Sequence, residues 1–460
     1  MNTVIIGGGA TGLAIAYLLL RQTKRDGVAG NAAGAMPDEV TVLEAGSEAG
    51  GLLSTFDAGG GRLERYYHHF FTHDAEINWL MAELGLNDRA IFRPSTMGVL
   101  RGGKIYPFNG PRDLLGFNAI GLTARMRFGF SSALLAYQAG YAEREEVPAM
   151  EWFRRWAGKA ATNAIWAPLM LSKFGDAADR VPLAWMAGRL RQRARSRKGT
   201  SEQLGYLRGS LQVLVDRLVE DLRSRGAKIM TNTKVKSLLS HDGAVTGVET
   251  EGGIIRADRV VCTTPTPILA DLIRLIDLTY ADSLQRIEYL GAMCTILALP
   301  EQLSPVYWLN VADSGYEFGG VIEQTNLIDP AEYGGRRIVY LSRYLRTDNP
   351  LWSMDDQTIV DRQLDQLQRL FGKNLRPTLI NSWVFHARYA AALTDLGFYE
   401  RIPKYRSPVP NLFVAAMPHI YPDERSVNNS IRVAAAVVST MGIDTSDVPV
   451  GASLSAKYGH

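Results

Sequence analysis

The chain opens on a short apolar run, Val4-Ile5-Ile6, closed by Gly7-Gly8-Gly9, and then on a longer one, residues 13–20, rich in Leu, Ala and Ile. The first has the length of a buried strand and the second that of a buried helix, so the pattern predicts strand, tight turn and helix. A second apolar run, Val40-Thr41-Val42-Leu43, predicts another strand, and the Gly/Ala-rich stretch 23–39 before it reads as a surface insertion. Further on, residues 211–225 carry apolar positions at helical spacing up to Gly226. Residues 228–230 and 235–239 alternate as strands, and Asp242-Gly243 marks a hairpin. Residues 257–262 form a buried strand, 411–417 another, and 429–441 a closing helix. Residues 114–141 also have helical spacing, with Arg125, Arg127 and several aromatic residues.

The opening turn carries chemistry. In Gly7-x-Gly9-x-x-Gly12 the first glycine permits the turn, the second lets backbone approach a pyrophosphate, and the third allows close helix–strand packing. A pyrophosphate there, beside Ala10 and Thr11, meets the unpaired N–H groups and dipole of the helix start. The second strand ends in Glu44, whose carboxylate is placed to accept both ribose hydroxyls. Glu44 lies 32 residues beyond Gly12, where about 20 is usual; the insertion takes up the excess.

Composition narrows the class. The 460 residues are 46% hydrophobic and 21% charged, which suits a globular chain of about three domain lengths. Fifty basic against 47 acidic residues leave a net charge of +3, no argument for a nucleic-acid partner. Cys262 and Cys294 are the only cysteines, and no Cys/His spacing suggests a disulfide framework or a metal site. The chain starts on its first strand without a signal-peptide pattern, and no apolar run reaches about 18 residues, so the expected location is cytoplasmic.

The residues after Glu44, Ala45-Gly46-Ser47-Glu48-Ala49-Gly50-Gly51-Leu52, resemble the flavoprotein superfamily of amine oxidases, protoporphyrinogen oxidases and UDP-galactopyranose mutases, where a Gly-Gly pair follows the acid closely. The resemblance implies FAD, with Gly50, Gly51 and Leu52 near its phosphates. The family usually has a basic residue where Glu48 stands, and the Gly50 and Gly51 amides are the expected substitute. Gly-Ala-Lys-Ile-Met-Thr-Asn-Thr-Lys-Val resembles the segment whose valine faces the adenine, here Val235, and Ala257-Asp258-Arg259-Val260-Val261-Cys262 leads into Thr263-Thr264-Pro265 as in these flavoproteins. The strand ending Ala415-Ala416-Met417 usually closes on Gly-Asp near the ribityl chain, so that carboxylate is missing or moved to Asp423 or Glu424. The helix start at Ser426-Val427-Asn428-Asn429 has capping residues and N–H groups suited to the flavin O2 edge.

The implied fold is α/β: a Rossmann-type FAD-binding domain from residues 1–71, 205–269 and 400–442, interleaved with a helical-plus-sheet substrate domain from 72–204 and 270–399, and a flexible tail 443–460. Arg65-Tyr66-Tyr67-His68-His69-Phe70-Phe71-Thr72-His73-Asp74 holds three of the seven histidines and resembles the His-x-Phe-x-Thr-x-Asp stretch of the mutases, matched by His68, Phe70, Thr72 and Asp74. His68 is therefore the candidate catalytic residue, hydrogen-bonding near flavin N5 or acting as acid/base near pH 7. The stretch lacks the spacing of a typical metal-ligand pair, so no metal is expected. Residues 189–198 are the densest basic run, read first as a solvated helix face and then a loop, and alternatively as an anion funnel. Lys173 is expected to serve a helix C-terminus rather than the flavin.

The expected activity is FAD-dependent oxidation of a small or lipid-like substrate by hydride transfer to flavin N5. A redox-neutral sugar-nucleotide isomerase of the UDP-galactopyranose mutase kind, taking a sugar-nucleotide or lipid-linked substrate, is the second reading, and a flavin-binding protein without chemistry the third. Peripheral membrane contact is one reading of residues 114–141. The sequence leaves the oligomeric state undecided.

Overall fold

The computed structural model describes residues 1–28, 39–137, 140, 144–198 and 201–449. Its nucleotide-binding layer is a five-stranded, wholly parallel sheet in the order Lys228–Met230, Glu39–Leu43, Asn2–Ile6, Arg259–Cys262, Leu412–Val414. Strands far apart in sequence lie side by side because each is apolar on both faces and is covered on both. The helices Ala10–Val28 and Val427–Thr440 pack against each other, and Gln212–Ser224 packs on the first of them. An antiparallel meander of Val235–His241, Ala244–Thr250 and Gly253–Arg256 is appended to this layer.

A second layer is a seven-stranded mixed sheet whose long members are Tyr289–Leu299, Arg337–Leu345 and Asn381–Ala392, joined at one edge by Met97–Arg101 and Lys104–Pro107. Helices Leu122–Tyr137, Ala149–Trp156, Ala167–Phe174 and Leu183–Arg195 share a separate apolar core around Phe128, Phe153, Trp166 and Trp185. Between the layers, Ser201–Leu207 pairs with Phe70–Phe71 on one side and Ala90–Ser95 on the other. Gly205 is required there, because a Cβ on it would sit 2.3 Å from the Phe70 ring.

Several elements differ from the sequence expectation. The helical spacing over 114–141 resolves into two helices, Pro111–Gly116 and Leu122–Tyr137, because Gly116, Asn118 and Gly121 interrupt the propensity between them; Tyr141 lies outside the described residues. The first helix runs to Val28, so the 23–39 stretch begins as helix, and its residues 29–38 lie outside the described residues. The strand expected over 257–262 starts at Arg259, since the Ala257 and Asp258 amides bond outward to Thr246 O and Asn2 O. The strand expected over 411–417 is confined to Leu412–Val414, because Asn411 adopts φ 67° before it and Met417 already starts a 3-10 turn after it. The tail begins as packed chain, with Val448 2% exposed against the main core; residues 450–460 lie outside the described residues.

Candidate cofactor and active site

The glycine turn at the carboxyl end of the parallel sheet has the shape a diphosphate needs. Gly12 packs so closely on the turn that a Cβ would stand 2.0 Å from Gly7 O, and Gly7, at φ 110°, leaves room for the Thr263 hydroxyl, which donates to Ile6 O at 2.9 Å. Gly9 faces Gly51, whose Cβ would come within 3.2 Å of the Gly9 Cα. Ala10, Thr11 and Gly12 begin the helix, with their amides at its positive end. Glu44 is held beside the turn, one carboxylate oxygen accepting Gly8 N–H at 2.8 Å and the other Gly46 N–H at 2.7 Å. Each oxygen keeps a second lone pair for a hydroxyl donor.

Nearby, the Asn232 and Thr233 amides donate to Gly46 O and Glu44 O and bring buried Val235 alongside, while Ala45 is exposed and Leu52 half-buried. The Gly50 amide does not stand in for a phosphate-binding base, because it donates to Gly8 O at 2.8 Å. A guanidinium arrives instead from another strand. Arg62 Nη2 lies 2.8 Å from Glu48 Oε2, and its Nε donates to Thr55 Oγ1 at 2.7 Å. Sequence proximity gives no hint of this pairing.

From the last strand of the parallel sheet the chain runs through 417–426 into the helix Val427–Thr440, and that stretch forms one wall of a cavity of about 240 Å³. Met417 and Ser426 lie in the wall, and Ser426 Oγ accepts the Asn429 amide as a side-chain N-cap. Val427 is buried. Asn428 keeps its backbone at the helix start, but its side chain faces away from the expected flavin role: Oδ1 accepts the Ile77 amide at 3.0 Å, capping the helix Ala75–Glu83.

His68 and Tyr67 line the same cavity. His68 Nδ1 is 2.6 Å from Tyr66 O, and since a carbonyl only accepts, Nδ1 carries the proton and Nε2 is left as an acceptor. Burial, with Arg425 nearby, pushes its pKa down to about 3, and burial likewise takes His69 to about 4. His68 is thus neutral at pH 7, which corrects the acid/base role near neutrality: its imidazole accepts or positions. Asp74 of the same motif serves structure, accepting the Phe71 amide at 2.9 Å.

The basic run 189–198 is no solvated face. It falls on the helix Leu183–Arg195 and its following strand, and turns Arg189 and Arg193 into the cavity wall. Glu424, one of the two proposed replacement carboxylates, bridges Arg189 and Lys173, with Lys173 Nζ 2.5 Å from its Oε1. Burial alone would raise the Glu424 carboxyl, but Arg189 and Lys173 outweigh it and hold it far below the carboxylate range. Burial lowers Lys173 despite that partner. Lys173 therefore belongs to the cavity as well as to a helix end, contrary to expectation. Asp423, the other candidate, lies 3.1 Å from Arg432. Arg425 Nη2 donates to Tyr344 OH at 2.6 Å, and Arg425 with Lys173 draws the Tyr344 phenol below its ordinary value against burial. Sequence reasoning missed Tyr344 and Arg343 altogether, since they sit on a strand whose apolar pattern looks like core. Among the described residues no group of three or more His, Cys, Asp or Glu is placed to hold a metal ion.

Strand order, glycine turn and acid define a dinucleotide-binding protein with a cavity built onto its sheet. The sequence model for flavin containing amine oxidoreductase matches residues 10–438. The chain belongs to that family, and the family implies a flavin cofactor. A coproporphyrinogen III oxidase of Bacillus subtilis (strain 168) is 24% identical over 309 aligned residues, 59% of this chain and 61% of that protein, so the chain spans under two thirds of this curated relative. The fold is that of a provisionally assigned protoporphyrinogen oxidase from Exiguobacterium sp. 255-15 (TM-score 0.73, 18% identity, 96% and 98% of the two chains). It is also that of a reduced UDP-galactopyranose mutase (TM-score 0.73, 14% identity, 99% and 97% of the two chains).

Proposed function

We propose that the protein is an FAD-dependent oxidoreductase that oxidises a small or lipid-like substrate in the aromatic, partly cationic cavity bounded by Tyr67, His68, Trp308 and Tyr344. One observation carries this reading: residues 417–426 leave the nucleotide-binding sheet and become the cavity wall, so that a coenzyme on the glycine turn and a substrate in the cavity meet along one stretch of chain. The cradle suits FAD, because the Gly7–Gly12 turn and the Val427–Thr440 helix start offer main-chain amides, and Glu44 and Val235 flank the far end. A bound flavin supplies the two-electron acceptor at N5. The protein's part is positional. Neutral His68 presents an acceptor nitrogen, and Tyr67, Trp308 and Tyr344 give the substrate apolar walls.

A second reading, a sugar-nucleotide mutase, is favoured by four guanidinium groups, Arg189, Arg193, Arg343 and Arg425, on the same cavity, a grip suited to a pyrophosphate. Anaerobic reaction of the purified flavoprotein separates the two. A substrate that bleaches the flavin, with peroxide formed on admitting oxygen, is the result expected. Release of a ring-size isomer from a UDP-sugar after dithionite reduction, with no oxidant consumed, would replace this reading by the mutase. Protein that stays colourless with excess FAD would remove both.

A further inference from the structure

The helix Leu122–Tyr137 is apolar on two faces. One face, with Phe128 and Leu135, enters the helical core, where Phe128 stacks on Trp166 at 5.1 Å. The other carries Leu122, Met126, Phe130, Ala133 and Tyr137, spaced by four, four, three and four residues, which places them in one stripe along four turns. That stripe is open: Leu122 is 57% exposed, Met126 60%, Phe130 60% and Tyr137 77%. A surface helix of a globular protein normally buries its one apolar stripe and turns polar residues outward. Leu115 and Trp156, also exposed, flank the stripe, because Arg125 donates to Leu115 O on one side and Arg127 to Trp156 O at 3.0 Å on the other. Single exposed apolar residues need no account, but a continuous patch of this kind marks an interaction surface.

Charge identifies the partner. From residue 114 to residue 142 the sequence contains no Asp or Glu, while Arg112, Arg125, Arg127, Arg155 and Lys159 stand on or beside the stripe. The nearest exposed acid on the adjoining helix, Glu151, is in its first turn, whereas Trp156 ends it. Two copies of such a face would set cation against cation. An anionic lipid surface complements both the apolar stripe and the basic rim, the composition of a helix lying in a membrane interface.

We propose that the Leu122–Tyr137 face, with Leu115 and Trp156, seats the protein on the surface of an anionic bilayer. Among the described residues no helix is long and apolar enough to cross a membrane, so this contact is peripheral. It also bears on substrate delivery. Trp166, stacked on the inner side of this helix, lines the cavity, and so do Leu169 and Met170, whose neighbour Leu171 is 57% exposed. One layer of side chains separates the seated face from the cavity wall. The seating itself does not depend on which reaction the cavity performs.

Flotation of the flavin-loaded protein with phosphatidylcholine vesicles, with and without phosphatidylglycerol, tests this. Binding is expected to the phosphatidylglycerol vesicles, to weaken with added salt, and to fall at least about ten-fold in Met126→Gln/Phe130→Gln, which removes the two central apolar contacts. The variant's flavin content and melting temperature serve as controls for folding. If it does not fold, Arg155→Gln/Lys159→Gln, on exposed positions outside the stripe, is expected to weaken binding selectively at low salt. No binding to anionic vesicles at low salt would overturn the proposal. So would binding equal in wild type and every folded variant, or a concentration-dependent dimer that Phe130→Gln dissolves in a protein that ignores vesicles.

Discussion

Replacing Glu424 by Gln keeps the shape of the cavity wall but leaves Lys173 and Arg189 without their shared carboxylate. Removing one partner of a fully buried ion pair costs about 3–5 kcal/mol. These side chains are 22–26% exposed, so solvent screens part of that, and a loss of about 2 kcal/mol at pH 7 is expected. The pH dependence is the sharper test. Lys173 is already lowered by burial, with Glu424 its main opposing influence, so the variant lowers it further. A lysine whose folded value lies below its unfolded one binds fewer protons in the native state, and stability then rises with pH up to the unfolded value near 10.4. In Glu424→Gln the penalty should shrink between pH 7 and pH 9 to roughly half, the remainder belonging to Arg189, which stays charged. Urea unfolding followed by tryptophan fluorescence at both pH values measures it. An unchanged midpoint at pH 7, or the same loss at both pH values, would refute the account of this cluster; Lys173→Met in the same background should recover part of the stability.

Three other outcomes follow from the site. Gly12→Val forces a side chain into the 2.0 Å gap at Gly7 O and should abolish flavin retention, read as the ratio of flavin to protein absorbance. His68→Ala should depress substrate-driven flavin reduction more than flavin content. In the native state His68 sits at about 3, below the unfolded value of about 6.5, so the wild type should lose stability as pH falls through that interval, and His68→Gln should lose less. Asn428→Ala, which deletes a buried cap on Ile77, should cost about 1 kcal/mol in denaturation while leaving flavin content intact, because only the main chain of Asn428 faces the helix start.

The cofactor half of the site was legible because it is made of backbone. A glycine turn, an acid at a strand end and a capped helix announce themselves locally, since each is required by the chain's own geometry at Gly12, Glu44 and Ser426. The cavity half is made of side chains from distant elements. Lys173, Arg189 and Glu424 lie on separate segments, and nothing in their neighbours' periodicity says that they converge. The basic run misled for the same reason: an arginine every second or fourth residue suits water, and only the Trp166 and Trp185 core beneath the helix turns Arg189 and Arg193 inward. His68 was located by its motif, but its protonation was not, because burial and Arg425 set it. Asn428 looked like a ligand and is a cap, a difference that turns on a helix 351 residues earlier in the chain.

The parallel sheet draws neighbouring strands from both ends of the chain, and this has a consequence for synthesis. Asn2–Ile6 leaves the ribosome first, yet its neighbour Arg259–Cys262 and that strand's partner Leu412–Val414 come hundreds of residues later. Until the last of these emerges, the nascent polypeptide carries an open, apolar strand edge, which invites mispairing and chaperone capture. Coenzyme capture is accordingly a late event in biogenesis. Messages truncated before residue 412 should yield product that neither turns yellow nor escapes degradation.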